Sequence, residues 1–401
     1  MTSHNTPAME AAWQRYRQTL EDARVTLYEW ELIADPAVRN AAHYGFHQIQ
    51  ANAFNMVIAP RQDYPSFQIH SFAEPMFYSW ALNNPDFLYR MVYLDGARTY
   101  RIWGRRHDTL WLDFQVFSRF WSAPESEMHV LANYDLDKFQ LVADGTFEII
   151  ASATSQAGNW IKLDKDAPRH AVMLRETFVD WGKETAAELH IETIDGLPSQ
   201  PVVHSEAEMI ERIDGAARLI SFVVRRFMVG TVTRGLANFG RHVFYSAPSG
   251  NSAGTNPVAQ YWQCIYQLEP DEALIVDTEI PKCKYWGIQM TDVFVQTTEY
   301  VHHQSSLNSL QARLDKDGRF RAVISKQDPM VQNWLDPVDN LQGMVFLRWY
   351  LTETNPSPTV NKIKFVDIHQ HLPTDTPSVS PEERAASLRA RRIGALRRYG
   401  Y

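Results

Sequence analysis

The chain has 401 residues, enough for about two domains of ordinary size, and its apolar fraction of 45% supports a sizeable core. Its 39 basic and 47 acidic side chains leave a net charge of −8, a balance that argues against nucleic acid as a partner. Cys264 and Cys283 sit in no metal-ligand spacing and are too few for a disulfide framework, so free buried thiols are expected.

The N-terminus has no apolar core of a secretory signal, and the longest apolar stretch, LISFVVRRFMVG, is broken by Arg225 and Arg226. No segment approaches the ~20 apolar residues of a membrane span, so a cytoplasmic protein with no membrane contact is expected. The first part reads as helix. Thr6-Pro7 and Asp35-Pro36 are start signals, a capping residue followed by proline in the first turn. Trp13, Tyr16 and Leu20 share one face of the first helix; Ala42, Phe46, Ile49 and Ala53 share one face of the second.

From about Phe87 the texture becomes strand-like. FLYRMVYL, RTYRIWGR and TLWLDFQVF are rich in aromatic and β-branched residues, with Asp95-Gly96 as hairpin punctuation between the first two. Further strands are expected at Phe139–Val142, Phe147–Ser152 and Ala171–Phe178. Ser205 and Glu208 have capping-box spacing ahead of Met209, Ile213, Ala216, Ile220 and Val223 at helical period. The Gly/Ser/Asn/Pro stretch 246–257 is a candidate boundary, after which strand text runs to about Leu351. Residues 352–380 read as an extended surface segment. Ser380-Pro381-Glu382-Glu383 then starts a basic final helix, expected to pack back on an acidic body. The reading is an α+β protein with five segments: helices in 1–80, a first β-rich unit in 81–200, central helices and loop in 201–257, a second β-rich unit in 258–352, and an extended segment with basic helix in 353–401.

The two β-rich units repeat one another. Asp144-Gly145 matches Asp317-Gly318, Phe147 matches Phe320, Ser152 matches Ser325, Asn159-Trp160 matches Asn333-Trp334, and Leu174-Arg175 matches Leu347-Arg348. The offset is nearly constant and far longer than a solenoid period, so it marks a duplicated domain. Asp-Gly supplies a turn at positive φ, and Asn-Trp ends a loop, with Asn bonding the backbone and Trp closing the core.

The run QSSLNSLQARLDKDGRFRAVIS, followed by DP, Asn333-Trp334-Leu335 and MVFLRWY, resembles the bacterial family known as domain of unknown function 1214. YWGIQMTDVF ahead of it resembles that family's Tyr-Trp strand. The resemblance is clear over about 255–355 and fainter over 85–180, and it implies a β-sandwich of jelly-roll flavour in each unit. It implies no activity and no catalytic residue. Where similar sequences read Arg-Gln-Ser-Ser-Leu-Asn, this chain has His303 before Gln304, one basic group in place of another.

No P-loop, GxGxxG, GxSxG or HExxH occurs. His43 and His47 have a spacing that can hold a metal, but no third ligand lies near them in sequence, so no metal and no cofactor is expected. The richest polar cluster is Glu299, Tyr300, His302, His303 and Gln304. A histidine beside a carboxylate can act as a general base, which makes Glu299, His303 and His302 the catalytic candidates. Arg348 could hold an anionic group, and Trp286, Gln289, Asn333 and Trp334 could line a substrate site. The competing reading makes His302 and both tryptophans core residues and pairs Arg348 within the fold. His129 and Arg175 recur at the equivalent places and support it, whereas His303 and Glu299 do not recur cleanly. The functional expectation is a cofactor-independent enzyme that hydrolyses, eliminates or isomerises a small or glycan-like molecule; the alternative is a non-catalytic ligand- or carbohydrate-binding sandwich. The aromatic strands lead us to expect a homo-oligomer.

Overall fold

The computed structural model describes residues 5–70, 79–167, 169–196, 204–247 and 255–400. The chain divides into two compact units: Met1–Phe72, Tyr89–Glu176 and Ala186–Gly230 form the first, and Ala73–Leu88, Thr177–Thr185 and Thr231–Tyr401 the second. Two stretches of the N-terminal half therefore belong with the C-terminal half, and the units are not colinear with the five segments read from the sequence. The boundary at 230/231 falls inside a helical run, upstream of the 246–257 stretch, of which 248–254 lie outside the described residues.

The first unit opens with α1 (Pro7–Tyr28) and α2 (Pro36–Ala53), capped by Thr6, which accepts from the Met9 amide at 3.2 Å, and by Asp35, which accepts from the Ala37 amide at 2.9 Å. Ala42, Phe46, Ile49 and Ala53 of α2 are buried, as its periodicity requires. The buried face of α1 is instead Ala12, Ala23 and Leu27, and Trp13 is 39% exposed. Here α1 packs on α3 (Glu206–Val223), with its small alanines buried and the large ring left toward solvent. Ser205 caps α3 by accepting from the Glu208 amide at 3.2 Å. The second half of the expected capping box does not form, because the Glu208 carboxylate goes to Arg212 at 2.9 Å and His204 at 3.0 Å. The buried Arg212 guanidinium also donates to the carbonyls of Ile58 at 2.7 Å and Pro60 at 2.8 Å, closing the end of the helical run that follows α2.

Among the described residues the strands that follow are β1 (Gln68–Ile69), β2 (Phe87–Leu94), β3 (Tyr100–Arg105), β4 (Trp111–Arg119), β5 (His129–Asp135), β6 (Thr146–Ser152), β7 (Trp160–Lys162), β8 (His170–Thr177) and β9 (Glu188–Thr193). They make one sheet in the order β1-β2-β8-β4-β5 and another in the order β7-β6-β3-β9. After α4 (Gly230–Phe239) the second unit has β10 (Tyr245–Ala247), β11 (Ala259–Gln267), β12 (Glu272–Glu279), β13 (Tyr285–Thr291), β14 (Ser306–Asn308), β15 (Arg319–Ser325), β16 (Trp334–Leu335), β17 (Gln342–Tyr350) and β18 (Thr359–Lys364). Its sheets run β10-β11-β17-β13-β14 and β16-β15-β12-β18, which is the first pair of orders with nine added to every strand. The duplication is therefore complete at the level of topology, including the parallel pairs β6–β7 and β15–β16.

Each core lies between the two sheets of its unit. Leu112, Phe114, Phe147, Ile149, Ala151, Val172 and Leu174 fill the first; Trp286, Ile288, Phe320, Ala322, Ile324, Val345 and Leu347 stand at the equivalent places in the second. The swap of Ile149 and Ala151 for Ala322 and Ile324 keeps the combined volume, which sandwich cores tolerate. The repeated turn is likewise explained. Gly145 and Gly318 sit at φ 87° and 79°, and Asp144 and Asp317 each accept from the amide two residues on at 3.0 Å.

Three expectations are corrected. Asp95-Gly96 is not a hairpin turn, since β2 and β3 lie in different sheets. Glycine is required there by close approach: a Cβ on Gly96 would lie 1.8 Å from the Asp164 carbonyl oxygen. Phe139–Val142 is not a strand; β5 ends at Asp135 and a short 3-10 turn, Leu136–Lys138, follows. Within the segment read as extended surface, β18 pairs with β12 from Glu272 and Lys364 to Asp277 and Thr359, forming the edge of its sheet as β9 does in the first unit. Free Cys264 and Cys283 are as expected, and burial pushes their thiols up to about 12 and about 11.

His170, buried in the first unit, accepts from the Asp164 amide at Nε2 (2.9 Å) and bonds the Ala167 carbonyl through Nδ1 (3.1 Å). This fixes the neutral ring, and burial pulls its pKa down to about 4. Because the folded value is depressed, the stability His170 contributes is full above the unfolded value near 6.5 and is lost as pH falls toward 4. The loss is expected to reach about 3 kcal/mol at the low end of that window. Denaturant unfolding from pH 7 to pH 4 checks it: His170→Gln should flatten the profile, and an unchanged slope would contradict the assignment.

The last helix, α6 (Pro381–Arg398), begins with a full capping box: the Ser380 amide donates to Glu383 at 2.8 Å, and the Glu383 amide donates to Ser380 at 3.2 Å. It packs back on the second unit, as expected, but by a buried stripe of arginines at every seventh position: Arg384, Arg391 and Arg398. Arg384 pairs with Asp328 at 2.8 Å and donates to the Val331 carbonyl at 2.6 Å; Arg391 donates to the carbonyls of Tyr300 at 2.5 Å and Ser306 at 3.1 Å.

Candidate functional site

In the second unit the chain between β13 and β14 carries the polar cluster singled out in the sequence. Glu299 accepts from the Val301 amide at 2.9 Å and the His302 amide at 3.0 Å, and meets His302 Nδ1 at 3.2 Å. It is chiefly a turn cap, with His302 on its outer side. The His303 ring turns the other way and meets the Asp336 carboxylate, Nδ1 to Oδ2, at 2.7 Å. His303 is 41% exposed and Asp336 is 16% exposed. Among the described residues the Nε2 atom of His303 has no hydrogen-bond partner, so in the tautomer that Asp336 selects it presents a free lone pair to solvent.

The surroundings hold this pair in place. Asp336 accepts from the Val338 amide at 2.8 Å, and its own amide donates to the Gln304 carbonyl at 2.9 Å. The Gln304 side chain donates to the carbonyls of Gln332 at 3.0 Å and Trp334 at 2.6 Å, and accepts from Arg384 at 3.0 Å. The loop that supplies Asp336 contains Met330, Val338 and Asp339 at φ 58°, 51° and 61°. A left-handed backbone at a β-branched residue costs about 1–3 kcal/mol and persists only where neighbours enforce it. Here the Val338 amide is tied to the carboxylate that orients His303.

The remaining sequence candidates lie elsewhere in the unit. Arg348 bonds the Gln289 side-chain oxygen and donates to the Leu82 carbonyl at 2.6 Å; Gln289 donates to the Asn83 carbonyl at 3.1 Å and Thr297 at 3.0 Å. The first unit repeats the pair, with Arg175 donating to Gln115 at 2.5 Å. Trp286 lies in the sandwich core, 5.0 Å from the Phe320 ring and 6.3 Å from that of Trp349. Asn333 donates to the carbonyls of Arg313 and Arg321 and accepts from the Arg313 amide, and Trp334 donates to the Ser325 carbonyl at 3.0 Å. The structure thus brings Glu299, His302 and His303 onto one turn, keeps Arg348 with Gln289 at a separate buried place, and uses Trp286, Asn333 and Trp334 in the fold. In the first unit, His43 of α2 bonds Tyr28 at 2.7 Å.

Two features escaped the sequence reading. Asp336 follows the Asn-Trp-Leu run directly, but nothing local says that its partner is 33 residues upstream. The other is a buried polar knot in the same unit. Asp86 accepts from Tyr285 at 2.6 Å, Asn308 at 2.6 Å and the Trp181 indole at 2.8 Å, and Asn84 donates to Tyr285 at 2.9 Å. Burial pushes the Asp86 carboxyl up, and burial together with Asp86 pushes the Tyr285 hydroxyl well up. Gly287 makes room for the knot, since a Cβ there would lie 2.4 Å from the Tyr285 hydroxyl. At the equivalent place the first unit has Asp113, paired with Arg175 at 3.5 Å. Asn-Pro-Asp before β2 gives no sequence signal beyond a turn.

No helix of the described residues is long and apolar enough to cross a membrane. No curated protein matches the chain. A crystal structure of an uncharacterised protein from Burkholderia cenocepacia is similar over 88% of this chain and 97% of its own, with a TM-score of 0.81 at 24% identity. A Vibrio parahaemolyticus structure overlaps 80% of this chain and 98% of its own, with a TM-score of 0.46 at 11% identity. The first similarity supports the fold and carries no activity. The resemblance read from the sequence is borne out over the second unit's sandwich: residues 257–354 match the model of the family described as "Protein of unknown function (DUF1214)".

Proposed function

We propose that the protein is a cofactor-independent acid/base enzyme acting on a small or glycan-like molecule by hydrolysis, elimination or isomerisation, with His303 as the general base. The observation that supports this is the 2.7 Å contact between His303 Nδ1 and Asp336, which leaves Nε2 facing solvent. A base oriented by a carboxylate, here one supplied by a strained loop, suits general acid/base chemistry. Glu299 and His302 flank it on the same turn, Glu299 as the cap of that turn and His302 on its outer side. A thermal-shift panel of sugars, aromatic acids, steroids and acyl thioesters, with the mass of each stabilising ligand followed, finds the substrate. His303→Ala is then expected to lower kcat/KM by about 10²–10⁴ while the melting temperature stays near wild type; turnover retained in that variant sinks the proposal.

The alternative, a non-catalytic carbohydrate-binding protein, is favoured by one feature of the first unit. On its β7-β6-β3-β9 sheet, Trp103 stacks on His190 at 5.4 Å with the Arg101 guanidinium 4.7 Å from the indole. An aromatic platform of this kind suits a sugar face. A stabilising ligand whose mass never changes, and whose effect is lost in Trp103→Ala, would support that reading.

A further inference from the structure

The C-terminal arginine stripe ends on a group that has no acceptor among the described residues. Arg398 is 6% exposed, and among the described residues its three buried guanidinium nitrogens have no hydrogen-bond partner. The group lies among rings, its Cζ 4.1 Å from the Trp181 centroid, 5.4 Å from Phe178 and 6.0 Å from Tyr399. Stacking on rings satisfies the faces of a guanidinium and leaves the N–H edge unmet. Arg391 is over the same indole, 4.5 Å from its centroid. Its bonds go to neutral acceptors, the carbonyls of Tyr300 and Ser306, the Ser306 hydroxyl and Gln311.

Two buried guanidinium groups thus share one indole. The buried carboxylate within electrostatic reach of both is Asp86, and its oxygens are already taken by Tyr285, Asn308 and Trp181. Glu299 also reaches Arg391 electrostatically, but its oxygens are engaged in capping its own turn. Buried cations without paired anions are costly, and a planar fork with a free N–H edge matches a carboxylate in two parallel hydrogen bonds.

We propose that Arg398 anchors a binding site for the carboxylate of a small apolar or aromatic acid, with Trp181, Phe178 and Tyr399 as the ring lining. This site is separate from the His303–Asp336 pair and does not depend on its chemistry.

The full-length protein is titrated with sodium benzoate and sodium acetate, against chloride and inorganic phosphate at equal ionic strength, by calorimetry and indole emission. Saturable one-to-one binding of benzoate, tighter than acetate, is expected. Arg398→Lys keeps the charge and loses the fork, and Arg398→Met loses both; each should weaken benzoate by about tenfold or more. Trp181→Phe should remove the emission change, and His303→Ala should bind like wild type, which separates failure of this site from failure of the proposed base. Absence of saturable carboxylate binding, or benzoate affinity unchanged in Arg398→Lys, overturns the proposal. Phosphate binding in place of benzoate overturns the carboxylate assignment in favour of a tetrahedral anion. If Arg398→Met does not fold, Arg398→Lys and the wild-type titration decide.

Discussion

Asp86→Ala is expected to lower the stability of the second unit by about 3–5 kcal/mol, the cost of removing one partner from a buried charged network. The substitution strips acceptors from the Tyr285 hydroxyl, the Asn308 amide and the Trp181 indole at once. None of these donors is near water: Tyr285, Asn308 and Trp181 are all buried. Each orphaned donor keeps its desolvation cost after its bond is gone, which is why truncation costs more than a mean hydrogen bond. Asp86→Asn should cost about 1–2 kcal/mol, because it keeps the shape and one acceptor. Burial already disfavours the charged carboxylate at this place, so losing the charge is the smaller part of the damage. Chemical denaturation of both variants checks the ordering. An alanine variant within 1 kcal/mol of wild type would mean that the knot does not hold residues 79–88 and 177–185 to the second unit's sheets.

Those two stretches show where the sequence stops being readable. The repeated Asp-Gly turn and Asn-Trp pair are legible because each is local: a positive φ at Gly145 and Gly318, and an asparagine side chain bonding backbone no more than 20 residues away, leave fixed residue types at fixed spacing. The assignment of 73–88 and 177–185 to the second unit rests on contacts such as Asn308 with the Val179 carbonyl and Gln289 with the Asn83 carbonyl, across 129 and 206 residues. No periodicity records such a contact. The contact of Asp336 with His303, across 33 residues, is hidden for the same reason. Arg384, Arg391 and Arg398 fall at helical period, yet arginine at such spacing is ordinarily a solvated face. What decides otherwise is the set of carbonyls and rings presented by distant segments, which turns a polar stripe into the docking side of the helix. The β18 strand was hidden by the Pro- and Thr-rich text around it, and only its likeness to β9 in the duplicated topology gives it away.

The duplication also supplies the second large expected effect. Asn333→Ala should destabilise the protein by about 2–4 kcal/mol, and Asn159→Ala by about 1–2 kcal/mol in the same direction. The bonding is the same in both units. Asn333 donates to the carbonyls of Arg313 and Arg321 at 2.6 and 2.8 Å and accepts from the Arg313 amide at 2.9 Å. Asn159 donates to the carbonyls of Gln140 and Glu148 at 2.8 and 3.0 Å and accepts from the Gln140 amide at 2.8 Å. What differs is solvent: Asn333 is buried and Asn159 is only partly so, and water can take over the lost bonds in the first unit. In each unit the next residue repeats the pattern, with Trp334 donating to Ser325 and Trp160 to Ser152, both at 3.0 Å. A ligand-binding asparagine would behave differently. Its alanine variant would melt like wild type and lose affinity, and its counterpart in the other unit would be silent. Paired unfolding curves of the two variants therefore separate a residue that both copies need in order to fold from one that a single copy keeps for a site. The expected common loss would mark Asn333 and Asn159 as one structural device used twice.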